Sequence, residues 1–355
     1  MINFKDQIKL FTINNEKKIG DAIEKINENK MKTVFVINAK NKKYIGSITD
    51  GDIRRGIIKN YSKNNSVMKI VNKKSIYFSK KPNNKILEKS FIQKFIQCVP
   101  LLDKNKKIKE IFISEDYRFN QSLENTVVIL AGGKGKRLRP LTKKIPKPML
   151  KINNKPIILH LLNKFKSQGF RRFIFCIKYK SSIIKKYFKD GKKFGVNISY
   201  KSENKYLGTG GPILNVKKFI NKSLPFIVCN GDIYTEVDFL EMMNFHNENK
   251  ADITILCKFF EDQNKYGVIK NNGILMKNLE EKPKKFQLIN CGAYIISPKL
   301  FRYFGKTKTI KMTEIIQLAK NKNKKIIIYP AHEFWMDIGT QKDYQKSKKL
   351  INYYN

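Results

Sequence analysis

Apolar runs and polar breaks divide the chain into two regions. In the first, the run from Thr33 to Asn38 (TVFVIN) gives way to a basic turn and then to a second run in YIGSIT. The pattern returns from Cys98 to Asp103 (CVPLLD), followed by a basic turn and IKEIFIS. Each copy reads as two short strands beside a helix-like stretch, and two such units packed together would make one compact domain. The segment DYRFNQSLEN, near 117–125, breaks the rhythm and sets the expected boundary, giving regions 1–120 and 125–355. Beyond it come TVVILA, a helical pattern from Pro156 to Ser167, RRFIFCIKY, ISYKSE, GPILNVKKFI, PFIVCNGD and ADITILCKFF. That alternation predicts an α/β region built on a mixed, mostly parallel, Rossmann-like sheet with helices on both faces. Ligands of such sheets bind beyond the carboxyl ends of the strands.

Composition changes this picture little. With 355 residues and 41% hydrophobic content the chain is long enough for two domains with real cores. Its formal charge of +44 raises a polyanion partner, yet only eight of the 73 basic residues are arginine, and the lysines are spread over the whole length. A nucleic-acid reader concentrates its basic residues and favours arginine for bidentate contacts. The lysines therefore read as a solvated surface, with no nucleic-acid partner expected. Five cysteines (98, 176, 229, 257, 291) lack a CxxC pair and sit mostly in apolar runs, as buried reduced thiols of a cytoplasmic protein would. No run of about 18 apolar residues exists, so no membrane partner is expected. His160, His246 and His332 lack metal-ligand spacing, which argues against zinc.

Candidate chemistry starts at the first strand of the second region, which ends in AGGKGKRLRPLTKKIPKPML, residues 131–150. Ala131, Gly132, Gly133 and Gly135 let backbone N–H groups approach phosphate, while Arg137 and Lys147 supply positive charge. This is neither a P-loop nor a dinucleotide fingerprint. The longer pattern GGxGxRLxPLT with PKPM resembles the sugar-nucleotide pyrophosphorylases, the nucleotidyltransferase family, and the likeness extends over 126–345. LGTGG at 207–211 then stands as a second nucleotide loop with Gly208 and Thr209. Asp232 (CNGD) and Asp337 (WMDIGT) would hold a catalytic Mg²⁺, a cation suited to one or two carboxylates plus phosphate oxygens. The resemblance further implies that Gly267, Glu281 and Asn290 bind sugar hydroxyls or a 2-amino group, and that Lys282 pairs with the sugar phosphate. Trp335 would brace Asp337.

The implied reaction is attack of a sugar 1-phosphate oxygen on the α-phosphorus of a nucleoside triphosphate, with release of pyrophosphate. Glu203 stands where such enzymes read the base. An ionised carboxylate only accepts hydrogen bonds, which suits the N1–H and N2–H₂ donors of guanine better than the single N3–H of uracil or thymine. GTP is therefore the expected donor, with UTP or dTTP as alternatives.

The first region resembles a tandem pair of CBS domains. GSITDGDIRR carries the family's G-x-x-S/T-x-x-D pattern on Gly46, Thr49 and Asp52, which would hold the ribose of an adenine nucleotide. The second copy departs from it: Lys109 and Glu110 replace the glycine, and Ser114 has no Asp three residues later. The pair could sense a nucleotide or serve only for packing and dimerisation, and a homo-oligomer is expected. A CBS pair fused ahead of LGTGG resembles the bacterial glucosamine 1-phosphate guanylyltransferases of legionaminic acid synthesis. Mannose and heptose 1-phosphate guanylyltransferases are similar in the same loop. After Asp337 only the helix-length segment QKDYQKSKKLINYY remains, too short for a β-helix acyltransferase domain. A nucleotide-sensing protein without catalysis is the alternative from another class.

Overall fold

The computed structural model describes residues 8–29, 31–83, 86–87, 90–91, 97–113, 122–263, 266–305 and 309–354, with the side chains of 261–263, 284–286 and 351–354 left aside. The chain divides into two compact units, residues 1–121 and 122–355. Ser114 and most of the segment expected to separate the regions lie outside the described residues.

In the first unit, β1 (Thr12–Asn14) is followed by α1 (Ile19–Asn29), β2 (Thr33–Ile37), β3 (Tyr44–Thr49) and α2 (Asp50–Ile58). β1 runs parallel to β2, and β2 pairs antiparallel with β3. Ile19, Ala22, Ile23 and Ile26, at helical spacing on α1, pack with Val34, Val36, Ile48 and Ile53 into one core. The repeat is visible in a second antiparallel hairpin, β4 (Cys98–Leu102) with β5 (Ile108–Ile113). Gly46 passes so close to the Asn72 carbonyl that a side chain would collide with it, at the bridge between Ser47 and Asn72.

The second unit opens with β6 (Leu123–Ala131), a two-residue hairpin of β7 (Lys151–Ile152) and β8 (Lys155–Pro156), and α3 (Ile157–Ser167). β9 (Phe170–Ile177), α4 (Ser181–Phe188), β10 (Asn197–Ser202), α5 (Gly211–Val216), β11 (Phe226–Asn230), β12 (Ile233–Thr235) and α6 (Phe239–Glu248) follow. The remainder is β13 (Ile253–Gln263), the hairpin β14 (Val268–Asn272) and β15 (Leu275–Glu280), β16 (Lys284–Ile296), α7 (Met312–Asn321), β17 (Ile326–Ala331), β18 (Trp335–Asp337) and α8 (Gln341–Tyr354).

The central sheet has the order β10-β9-β6-β11-β16-β13-β17, and β16 alone runs against the other six. Its central strands are apolar at successive positions because both faces are covered. Val127, Ile129, Phe173, Phe175, Ile227 and Cys229 face one core with α3, α4 and α6. Val128, Ile174, Cys176, Phe226 and Val228 face another with α5 and α7. All five cysteines are free and buried, and burial pushes the thiols of Cys176, Cys257 and Cys291 up to about 12. No helix among the described residues is long and apolar enough to cross a membrane. With the sheet parallel at β10, β9, β6 and β11, the loops bearing Glu203, the glycines and Asp232 all leave from its carboxyl edge.

Candidate active site

At that edge lies a cavity of about 240 Å³. Ala131, Gly133, Gly135, Arg137, Lys147 and Asp232 line it together with Leu130, Lys136, Pro148 and Gly339. The loop after β6 is shaped at Gly135, whose φ of +58° is left-handed and whose Cβ would meet Thr142 and Lys147 at 3.0 and 3.1 Å. Thr142, fully buried, donates its hydroxyl proton to the Gly135 carbonyl at 2.8 Å and so holds the loop against the next turn.

Two carboxylates meet here because β12 and β18 form an antiparallel ladder that pairs Ile233 with Asp337, closed by Ile338 N–H donating to the Asp232 carbonyl. Lys147, its side chain 8% exposed, places Nζ 2.5 Å from Asp232 Oδ2 and 3.6 Å from Asp337 Oδ1. Burial and the neighbouring Asp232 hold the Asp337 carboxyl above the usual carboxylate range, against the opposing pull of Lys147 and Arg137. Gly339 is the point where these groups crowd: its Cβ would sit 3.0 Å from Asp337 Oδ2 and 3.4 Å from an Arg137 guanidinium nitrogen. The donor set is hard oxygen, and a cation already lies between the two carboxylates, so the pair fits a small divalent ion with phosphate and water as its other ligands.

Glu203 follows β10, anchored by its N–H to the Ile177 carbonyl. Its carboxylate packs on Gly132, where an added Cβ would stand 2.9 Å from Oε1. Burial raises its pKa, offset by the Leu207 N–H and by Lys178. The structure thus brings Gly132 and Glu203 together at the carboxyl ends of neighbouring strands.

Other expected site residues are engaged differently. The Thr209 hydroxyl accepts from Met312 N–H at 2.9 Å, and Gly208, at φ +74°, packs on the Ile310 carbonyl. On the acceptor side Gly267 lies against Glu281, and Lys282 Nζ stands 3.7 Å from Glu281 Oε1 with both side chains exposed. None of these lines the cavity. Asn290 is more constrained: its Oδ1 accepts from Gly292 N–H at 3.0 Å and its Nδ2 donates to the Tyr294 hydroxyl at 2.8 Å. Trp335 donates Nε1–H to the Cys291 carbonyl at 3.0 Å, which fixes the strand carrying Asp337. His160 bonds the Ile152 carbonyl and meets the Tyr234 ring edge-on, a packing role.

In the first unit, Thr49 and Asp52 form a capping box at the start of α2. The Asp52 carboxylate accepts from Thr49 N–H (2.8 Å), the Thr49 hydroxyl (2.7 Å) and Arg55 (2.6 Å), so a ribose would have to share it. Sequence reading missed Thr142, Gly339, Tyr294 and the 309–312 segment as parts of these sites. Thr142 and Gly339 lie inside the quoted motifs, whereas Tyr294 and 309–312 carry no local signature.

The sequence model of the nucleotidyl transferase family matches residues 126–352, and that of the CBS domain matches residues 6–59, the first of the two copies. Over 227 residues the chain is 34% identical to the mannose-1-phosphate guanyltransferase of Yarrowia lipolytica, covering 61% of each protein. It is 33% identical over 227 residues to that of Saccharomyces cerevisiae, covering 61% of this chain and 62% of the relative. The chain thus spans about three fifths of the length of the curated relatives it matches. Among solved structures it resembles HddC from Yersinia pseudotuberculosis complexed with GMP-PN, at 29% identity and a TM-score of 0.52, over 64% of this chain and 99% of that one.

Proposed function

The chain belongs to the nucleotidyl transferase family, and on that premise we propose that it transfers GMP from GTP to a hexose 1-phosphate, releasing pyrophosphate. The observation that carries this reading is Lys147 held between Asp232 and Asp337 beside Arg137, at the mouth of the glycine loop. Asp232 and Asp337 would hold Mg²⁺, which when bound neutralises phosphate charge. The rest falls to the chain. Backbone N–H groups of 132–135 receive the triphosphate, and Lys147 and Arg137 stabilise the charge that builds on the α-phosphate and the departing pyrophosphate. No protein nucleophile is needed, since the sugar phosphate supplies its own; orientation does the remaining work. On the acceptor side, Gly267, Glu281 and Asn290 would meet sugar hydroxyls, and Lys282 would turn from Glu281 to the sugar phosphate.

Glu203 supports guanine: a bidentate match between an acceptor-only carboxylate and paired N–H donors is worth about 1–3 kcal/mol of discrimination. The relatives named for mannose 1-phosphate favour that sugar, while only the resemblance of the fused arrangement to glucosamine 1-phosphate guanylyltransferases speaks for glucosamine 1-phosphate. A matrix of nucleoside triphosphates against sugar 1-phosphates, read by pyrophosphate release, separates these. Asp232→Asn should remove most turnover with the fold retained by circular dichroism; activity at the wild-type level would overturn the reaction, and a preference for UTP or dTTP would overturn the base. AMP or ATP added to the same assay tests the N-terminal unit, whose Asp52 would have to exchange Arg55 for ribose hydroxyls.

A further inference from the structure

The loop that follows β6 is held from outside by a tyrosine. β6 and β9 run parallel as neighbours, with Ala131 beside Ile177, so the segments after them leave the sheet side by side. Tyr179, half-buried and two residues beyond β9, spans the loop from there. Its N–H reaches the Gly132 carbonyl in a long bond of 3.5 Å. Its hydroxyl has one proton, shared between the Thr142 and Lys143 carbonyls at 3.0 and 3.3 Å. Thr142 passes the hold inward, since its own hydroxyl donates to the Gly135 carbonyl at 2.8 Å. Between the two ends of this clasp lie Gly133, Gly135, Lys136 and Arg137, all of which line the cavity. A glycine-rich stretch has much freedom to lose on ordering, so bonds that fix its two ends matter more here than in an ordinary loop.

We propose that Tyr179 is a positioning residue for the nucleotide's β- and γ-phosphates, its hydroxyl keeping the 132–143 loop in the conformation that receives them. The proposal rests on the reading of this loop as the triphosphate cradle. Tyr179 does not line the cavity and acts through the Thr142 carbonyl and the Thr142–Gly135 bond. The base side of the site is tied to the same turn by other atoms. Glu203 N–H donates to the Ile177 carbonyl at 3.0 Å, and Lys178 Nζ donates to the Asn204 carbonyl at 3.1 Å. Removing the Tyr179 hydroxyl therefore loosens the phosphate loop and leaves the anchors of Glu203 in place.

The test is calorimetric binding of GTP and of GMP to the full-length protein, with Mg²⁺ present and no sugar phosphate. One net hydrogen bond shifts a loop's population by about two- to tenfold, and apparent affinity falls with the competent fraction. Tyr179→Phe should therefore weaken GTP by about fivefold and GMP by less than about twofold. Loss of folded protein would instead lower the number of binding sites and leave both dissociation constants alone. Thr142→Val, which breaks the next bond in the series, should give the same selective loss, and Thr142→Ser should restore GTP binding to within about twofold. The double variant should fall well short of the product of the two single effects, because bonds in series are not independent. If wild type binds GTP no more tightly than GMP, the reading of the loop fails and the inference falls with it. If wild type prefers GTP and Tyr179→Phe keeps that preference, or if the two substitutions multiply, the positioning role is overturned and the reading of the loop stands.

Discussion

Lys147→Met removes the charge while keeping an unbranched side chain only one atom shorter. The ammonium lost is buried between two carboxylates, 2.5 Å from Asp232 and 3.6 Å from Asp337. Unit charges 3.6 Å apart attract by roughly 4–5 kcal/mol at an effective dielectric of about 20. The Asp337 side chain is 46% exposed, however, and water reclaims most of that, leaving about 1–2 kcal/mol of stability at risk. The loss should depend on pH. Burial and Asp232 already raise the Asp337 pKa, so this group favours the fold when protonated, and that advantage is lost as pH rises through its raised value. Without Lys147 the pKa climbs further, so the stability gap between variant and wild type should widen in urea titrations as pH rises above the ordinary carboxylate range. Catalysis should suffer more, because a preorganised cation facing developing phosphate charge is worth about 10²–10³ in kcat. Pyrophosphate release at saturating substrates measures it, and a kcat within about threefold of wild type, less than 1 kcal/mol, would refute the assignment.

Two further outcomes follow from buried polar groups. His246 is 1% exposed, bonded through Nδ1 to Thr254 Oγ1, and burial lowers its pKa from 6.5 to about 4, with Asp252 pulling it up and Lys299 pushing it down. Its stabilising effect is therefore complete above pH 6.5 and lost as pH falls towards 4, about 3 kcal/mol in all at 1.36 kcal/mol per unit. Urea titrations of His246→Gln should show a flatter acid limb, and an unchanged slope would count against this. Tyr294→Phe takes the partner from Asn290 Nδ2, and KM for the sugar 1-phosphate should rise about three- to tenfold with KM for GTP steady; equal effects on both would mean a general structural loss.

The sheet was legible because its strands are short, apolar and β-branched, and burial on both faces leaves that composition as the only local signal. TVVILA, RRFIFCIKY and PFIVCNGD fall within or close to β6, β9 and β11 for this reason. That the sheet would be mixed was expected, but that β16 is the strand that reverses was not legible, since a strand's apolar pattern is the same read either way. Motif residues were visible where chemistry is local, as in the glycine loop. What escaped depends on contacts across long separations: Thr209 with Met312, and Asn290 with a tyrosine whose own pattern is that of a core strand. Thr49 and Asp52 show the opposite case, where a pattern read for ligand binding is in the first place a helix cap, with Arg55 holding the carboxylate.

Charge count and charge placement act separately in this molecule. The +44 is carried mostly by lysines on the surface, where salt screens charges beyond a Debye length of about 8–10 Å. Inside the cleft, Lys147 and Arg137 are balanced by Asp232 and Asp337, which leaves Lys136 of the lining as the uncompensated cation. A triphosphate entering alone would meet two carboxylates as well as three cations, one of them already held by Asp232. Lys147 is free to turn towards phosphate only when another cation takes over Asp232, its partner at 2.5 Å. In the proposed reaction the balanced cluster therefore discriminates against the bare nucleotide and favours one that arrives with its own divalent counter-ion. Arg137 is tied less closely, beside Gly339 and within the influence of Asp337, which in the proposed reaction leaves it as the cation that needs no exchange to meet phosphate.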